Sequence, residues 1–74
     1  MMKSIETVAP IRISFADALA RVRAEFNEMP GLQLTLAQAS RLWHLERDFC
    51  DAVLTALVET RFLIRTRNLT YARA

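Results

Sequence analysis

Apolar residues recur along this chain first loosely, then at helical spacing, and last at strand spacing. Before Ser14, residues Ile5, Val8, Ile11 and Ile13 alternate with polar neighbours. Pro10 excludes a continuous helix there. An extended arm over residues 1–13, with a short strand at 11–13, fits this stretch, and so does a frayed terminus. From Ser14 the period changes. The Ser14 hydroxyl can cap a helix whose first turn holds Asp17, and Phe15, Leu19, Val22 and Phe26 follow at helical spacing. Met29-Pro30-Gly31 stops that helix, because Pro cannot continue it and Gly supplies a turn. A helix over 14–28 is therefore expected.

Leu32-Gln33-Leu34 alternates and is too short for a helix, so it reads as a strand. Thr35 with Gln38 forms a capping box for a brief second helix over 35–42. Trp43, His44 and Leu45 make a turn. A third helix over 46–60 carries Phe49, Val53 and Leu57 interleaved with Cys50, Leu54 and Val58 as one apolar stripe. Strands follow at 62–66 and 70–73, joined by a turn from Thr66 to Leu69. The expected core is Phe15, Leu19, Val22, Phe26, Leu36, Trp43, Leu45, Phe49, Val53, Leu54, Leu57 and Phe62.

Seventy-four residues make one domain, with 1–13 as an arm and 14–74 as the folded unit. The hydrophobic fraction, 53%, leans apolar for so small a chain. Either the core is dense, or some apolar surface is buried against another copy. A homodimer through the arm, the face of the first helix, or both is expected on this ground. The lone Cys50 excludes an internal disulfide. No signal-peptide apolar region follows Met1, and no apolar run is long enough to span a bilayer. A reduced, cytoplasmic protein with no membrane partner is expected.

Charge is uneven. Residues 1–34 hold four basic and four acidic side chains, and residues 35–60 hold two basic against four acidic. Residues 61–74 hold Arg61, Arg65, Arg67 and Arg73 and no acid. The net charge of +2 is thus made in the last fourteen residues. His44 is the only histidine and has no second ligand at metal spacing, so it reads as a turn residue. Cys50 falls on the apolar stripe and reads as buried and inert. Trp43 reads as core, wedged between helices. The chain shows no Gly-rich phosphate loop, carboxylate pair or Ser/Cys–His arrangement. No enzyme activity, cofactor, metal or small-molecule substrate is expected.

From Thr35 onward the chain resembles the helix-turn-helix of small bacterial regulators. That pattern wants a small residue where the two helices cross, met by Ala39 and Ser40. It wants apolar residues on both sides of the turn, met by Trp43 and Leu45, and apolar offsets in the next helix, met by Cys50 and Val53. The continuation Leu54-x-x-Leu57-Val58-Glu59-x-x-Phe62-Leu63-x-Arg65 is similar to winged-helix domains, and the resemblance covers roughly residues 14–73. It implies a mainly α, α+β fold: a three-helix winged helix-turn-helix with a small antiparallel β-hairpin wing. The chain departs from the pattern where Gly is usual, carrying His44 in the turn, Arg61 after the third helix and Asn68-Leu69 in the wing turn. Gly suits those places because positive φ costs it nothing.

The resemblance also implies a surface. In DNA-binding relatives the N-terminal face of the third helix enters the major groove. On this chain that face is Glu46, Arg47, Asp48, Asp51, Ala52 and Thr55, mostly acidic and repelled by phosphates. The wing points the other way. Arg65 and Arg67 share a face if the strand runs through both, and with Arg61 and Arg73 they form a phosphate-contacting patch. A solvated basic hairpin that keeps an edge strand soluble is the alternative. The expected function is a DNA-binding regulator contacting duplex DNA mainly through the wing, with Arg41, Arg47, Thr55, Arg61, Arg65, Arg67 and Arg73 as candidate contacts. The competing expectation is a protein-interaction or dimerisation module, in which one copy's basic wing meets another's acidic helix or a protein partner.

Overall fold

The structure is a computed structural model that describes residues 14–74. The expected N-terminal arm lies outside the described residues. Among the described residues, three helices and three strands form an α+β fold: α1 (Phe15–Glu28), β1 (Gln33–Thr35), α2 (Leu36–Trp43), α3 (Arg47–Glu59), β2 (Leu63–Arg65) and β3 (Thr70–Arg73). The sheet is antiparallel with strand order β1-β3-β2.

Each helix starts where a side chain satisfies an orphan backbone N–H. The Asp17 N–H donates to the Ser14 hydroxyl at 3.0 Å. Thr35 and Gln38 make the full capping box, with N–H donations at 3.1 and 2.9 Å. The Phe49 N–H donates to the Glu46 carboxylate at 3.0 Å, so Glu46 is the N-cap of α3 rather than its first residue. The same holds for Ser14 and Thr35, because a capping residue keeps extended backbone. α2 in turn reaches through Trp43, which was expected in the turn. The outer strands are shifted from expectation: β1 is 33–35 rather than 32–34, and β2 is 63–65 rather than 62–66.

The helix ends turn on left-handed residues. His44 has φ 55°, and Leu45 N–H donates to the Ser40 carbonyl at 3.0 Å. The Ser40 hydroxyl donates to the Leu45 carbonyl at 2.6 Å, tying the last turn of α2 to the entry of α3. After α3, Phe62 N–H donates to the Leu57 carbonyl and Arg61 N–H to the Val58 carbonyl, both at 2.9 Å. This is a Schellman ending with Arg61, φ 68°, in the place where glycine is usual. Gly31, the only glycine, does not use positive φ, so the end of α1 rests on Pro30 and the Met29 cap.

α3 packs on α1, α2 and β2, and its stripe of Cys50, Val53, Leu54 and Leu57 is buried. Val22 and Phe26 of α1 meet it from one side, and Ala39 and Trp43 of α2 from another. The Phe26 and Trp43 rings lie edge to face with centroids 6.1 Å apart. Trp43 is buried, yet its Nε1–H has no acceptor among the described residues. Leu19, Leu36, Leu45, Phe49 and Phe62 are half-buried against this core. Phe15 is a correction to the expected core: it is 40% exposed, with its ring edge to face with that of Phe49. Leu63, Tyr71, Ala18, Ala39 and Ala72 are buried in addition to the expected set.

Arg61 gives a test of these left-handed turns. An L-residue in this region costs about 1–2 kcal/mol, and glycine loses about 0.5–1 kcal/mol more backbone entropy on folding. Arg61→Gly is therefore expected to stabilise the fold by roughly 0.5–1 kcal/mol. Urea unfolding should show a higher midpoint at unchanged slope. A lowered midpoint would mean that the Arg61 side chain contributes more than its backbone conformation costs.

Candidate nucleic-acid interface

Short-range hydrogen bonds build the β2–β3 hairpin. Thr66 N–H donates to the Thr70 carbonyl at 2.8 Å, and Leu69 N–H donates to the Thr66 carbonyl at 3.0 Å. The Thr66 and Thr70 hydroxyls bond to each other at 2.6 Å across the neck of the turn. The loop of Arg67, Asn68 and Leu69 then closes with Leu69 left-handed at φ 62°. This is the three-residue connection in which a tight turn is followed by a left-handed residue.

β2 ends at Arg65, so the strand does not run through Arg67. The expectation that these two share a strand face is corrected: Arg65 lies on the sheet and Arg67 in the turn. Arg65 is opposite Tyr71 in the register. Its Nη2 donates to the Tyr71 hydroxyl at 2.9 Å, and its guanidinium lies 5.1 Å over the Tyr71 ring centroid. Such stacking with a hydrogen bond holds a flat guanidinium in one orientation while its remaining donors stay on the surface.

Arg73 is on the same sheet face as Arg65 by the period of two, but at the other end. There it donates to the Asn27 side chain and lies 4.5 Å over the Phe62 ring. Arg23 of α1 lies 5.0 Å over the same ring. The four arginines are thus exposed but held by different neighbours. Arg61 and Arg65 line a shallow depression with Val58, Ile64 and Glu59. Arg67 sits at the hairpin tip. Arg73 is held against α1 with Arg23, a residue the sequence reading did not single out. Nothing local in the sequence marks that contact, since Asn27 and Arg73 are far apart along the chain.

The remaining candidates are dispersed. Arg41, exposed on α2, lines a second shallow surface with Leu34, Gln38 and Leu42. Arg47 is exposed at the start of α3, followed by exposed Asp48, Asp51 and Ala52. Thr55 is half-buried and its hydroxyl donates to the Asp51 carboxylate at 3.4 Å. Asp48 lies in the first turn of α3, where the helix dipole favours a carboxylate. Ile64 is 48% exposed, on the opposite sheet face from Arg65.

No cluster of three or more metal-ligating side chains occurs among the described residues. No described helix is long and apolar enough to cross a membrane. The chain matches no protein-family model, no curated protein and no solved structure.

Cys50 is buried and unpaired. Burial first, and the neighbouring Asp51 charge second, push its thiol from 9.0 up to about 11. A raised folded-state value favours the neutral thiol in the fold. This contribution is fully present below pH 9 and is lost as pH rises toward about 11. The folded chain is expected to resist alkylation at pH 8 and to lose stability through that alkaline window. Denaturant midpoints measured from pH 8 to 11 check this, and Cys50→Ala should remove the part of the decline that Cys50 causes. A decline of equal size in Cys50→Ala would assign it to other groups.

Proposed function

We propose that this chain is a winged-helix domain that binds duplex DNA, with the β2–β3 hairpin as the wing and the main contact surface. The support is the segregation of charge on exposed positions. Arg61, Arg65 and Arg67 are exposed around the hairpin, and residues 61–74 contain no acid. The outward N-terminal side of α3 carries Glu46, Asp48 and Asp51 against Arg47. Phosphates are attracted by the first surface and repelled by the second, so the duplex engages the hairpin first. Arg41 and Arg47 are exposed and are retained as secondary contacts. Arg73 belongs to the packing of β3 on α1.

A second reading, a protein-interaction or dimerisation module, has one specific observation in its favour. Leu34 and half-exposed Leu42 form an apolar surface beside Gln38 and Arg41. A second copy or another protein would cover it. This surface also serves the homodimer expected from composition better than α1 does, since the exposed Phe15 and Met29 lie at opposite ends of α1.

Titration of a labelled duplex of random sequence distinguishes the readings. Binding near micromolar at low salt, weakening steeply as salt rises, is expected. Arg65→Ala with Arg67→Ala should weaken binding on every sequence and lower the salt slope by about two units, one per lost phosphate contact. Asp48→Asn with Asp51→Asn should strengthen non-specific binding. If the double arginine variant binds like the parent while Arg47→Ala abolishes binding, α3 is the reader and the hairpin is not. If no duplex binds at low salt, the interaction module replaces the DNA reading.

A further inference from the structure

Leu69 combines two unfavourable features at one position. Its side chain is 71% exposed, well above the other surface apolar residues such as Leu42 at 50%. Its backbone is left-handed at φ 62°, which an L-residue without a polar side chain adopts poorly. Glycine or asparagine would remove both. His44 and Arg61 share the backbone conformation, but their exposed heads are polar and cost nothing in water. The hairpin does not need the Leu69 side chain either. Its turn is closed by backbone bonds of Thr66, Leu69 and Thr70 and by the two threonine hydroxyls. Strain and apolar exposure that serve no packing point to a role in contact with something else.

The surroundings say what that something is. Leu69 projects from a tip that also carries Arg67, with Arg65 held by Tyr71 at the end of β2. An apolar side chain among guanidinium groups, with no acid in the segment, is complementary to a ligand that is anionic outside and apolar inside. Duplex DNA has that order, with phosphates flanking a stack of bases. Leucine is among the side chains that enter a base step from the minor groove and unstack it. A groove about 6 Å wide accepts a three-residue tip rather than the two-stranded ribbon behind it.

We infer that Leu69 is a wedge: it enters a base step of duplex DNA from the minor groove while Arg65 and Arg67 bind the flanking phosphates. The inference rests on the DNA-binding reading above and adds the mode of contact. Pyrimidine–purine steps unstack most readily, so TA and CA/TG steps are the favoured sites. Specificity then comes from deformability at the tip, with little base readout by the acidic α3.

The test uses the full chain and duplexes of about 20–30 bp. One carries 2-aminopurine beside a central TA step, the other beside a GC step, and each has end labels for energy transfer. The parent protein should raise 2-aminopurine fluorescence and shorten the end-to-end distance on the TA duplex, with a preference of roughly fivefold or more over the GC duplex. Leu69→Gly should retain salt-dependent binding but lose the fluorescence rise, the bend and the step preference. The same variant should unfold at a higher urea concentration than the parent, since its left-handed strain is gone. That gain excludes misfolding as the cause of the loss. Binding without unstacking by the parent, or unstacking retained in Leu69→Gly, overturns the wedge and leaves the DNA reading standing. Absence of any duplex binding at low salt overturns the DNA reading and the wedge with it, and assigns Leu69 to a protein contact.

Discussion

Burial of the α3 stripe is the constraint on which the rest of this small fold depends. Cys50, Val53, Leu54 and Leu57 are almost wholly removed from water, and α1, α2 and β2 all pack on them. A domain of this size has no second core to fall back on. The two ends of α3 must therefore be placed with little freedom, and each is placed by a left-handed residue, His44 before it and Arg61 after it. Once the stripe is buried and the ends are turned, the outward residues of α3 follow from the helical period alone. Arg47, Asp48, Asp51 and Ala52 face solvent because Cys50, Val53 and Leu54 cannot.

The features readable from sequence were those decided within about four residues. The Ser14 cap and the Thr35–Gln38 box are local, and the structure holds both, while His44, Arg61 and Leu69 take positive φ although none is the glycine that such places usually carry. Helix periodicity marked Val22, Phe26, Val53, Leu54 and Leu57 as core for the same reason. Phe15 fits the period but is the first residue of α1 and stays 40% exposed. Leu63, Tyr71 and Ala72 were not in the expected core because their burial depends on which strands pair and in what register. The β1–β3 register joins residues more than thirty apart, and no short pattern encodes that.

Charge was legible as a count and not as an arrangement. Four arginines in a fourteen-residue segment suggest one basic patch. In the structure Arg73 bonds the Asn27 side chain and lies over the Phe62 ring, and Arg65 bonds the Tyr71 hydroxyl with one of its donors. Guanidinium planes can do this because they are weakly hydrated and stack on aromatic faces, which an ammonium does less well. Arg23 and Arg73 on the same ring fasten α1 to β3, so part of the segment's charge serves the sheet's attachment to the helices. These partners are uncharged, so they fix the orientation of the guanidinium groups and leave their charge in place.

The acidic start of α3 bears on the same question through its backbone. A helix N-terminus ordinarily offers free N–H groups and a positive dipole end to an anion. In α3 the Glu46 carboxylate already accepts from the Phe49 N–H, and Asp48 adds a second carboxylate in the first turn. The protein's own acids thus occupy the place that a phosphate would take. This arrangement stabilises α3 in the free protein and reduces its attraction for a polyanion, two effects of one interaction. Under the proposed DNA reading, α3 therefore offers an anion a terminus already occupied by Glu46, whereas the hairpin offers the exposed Arg65 and Arg67.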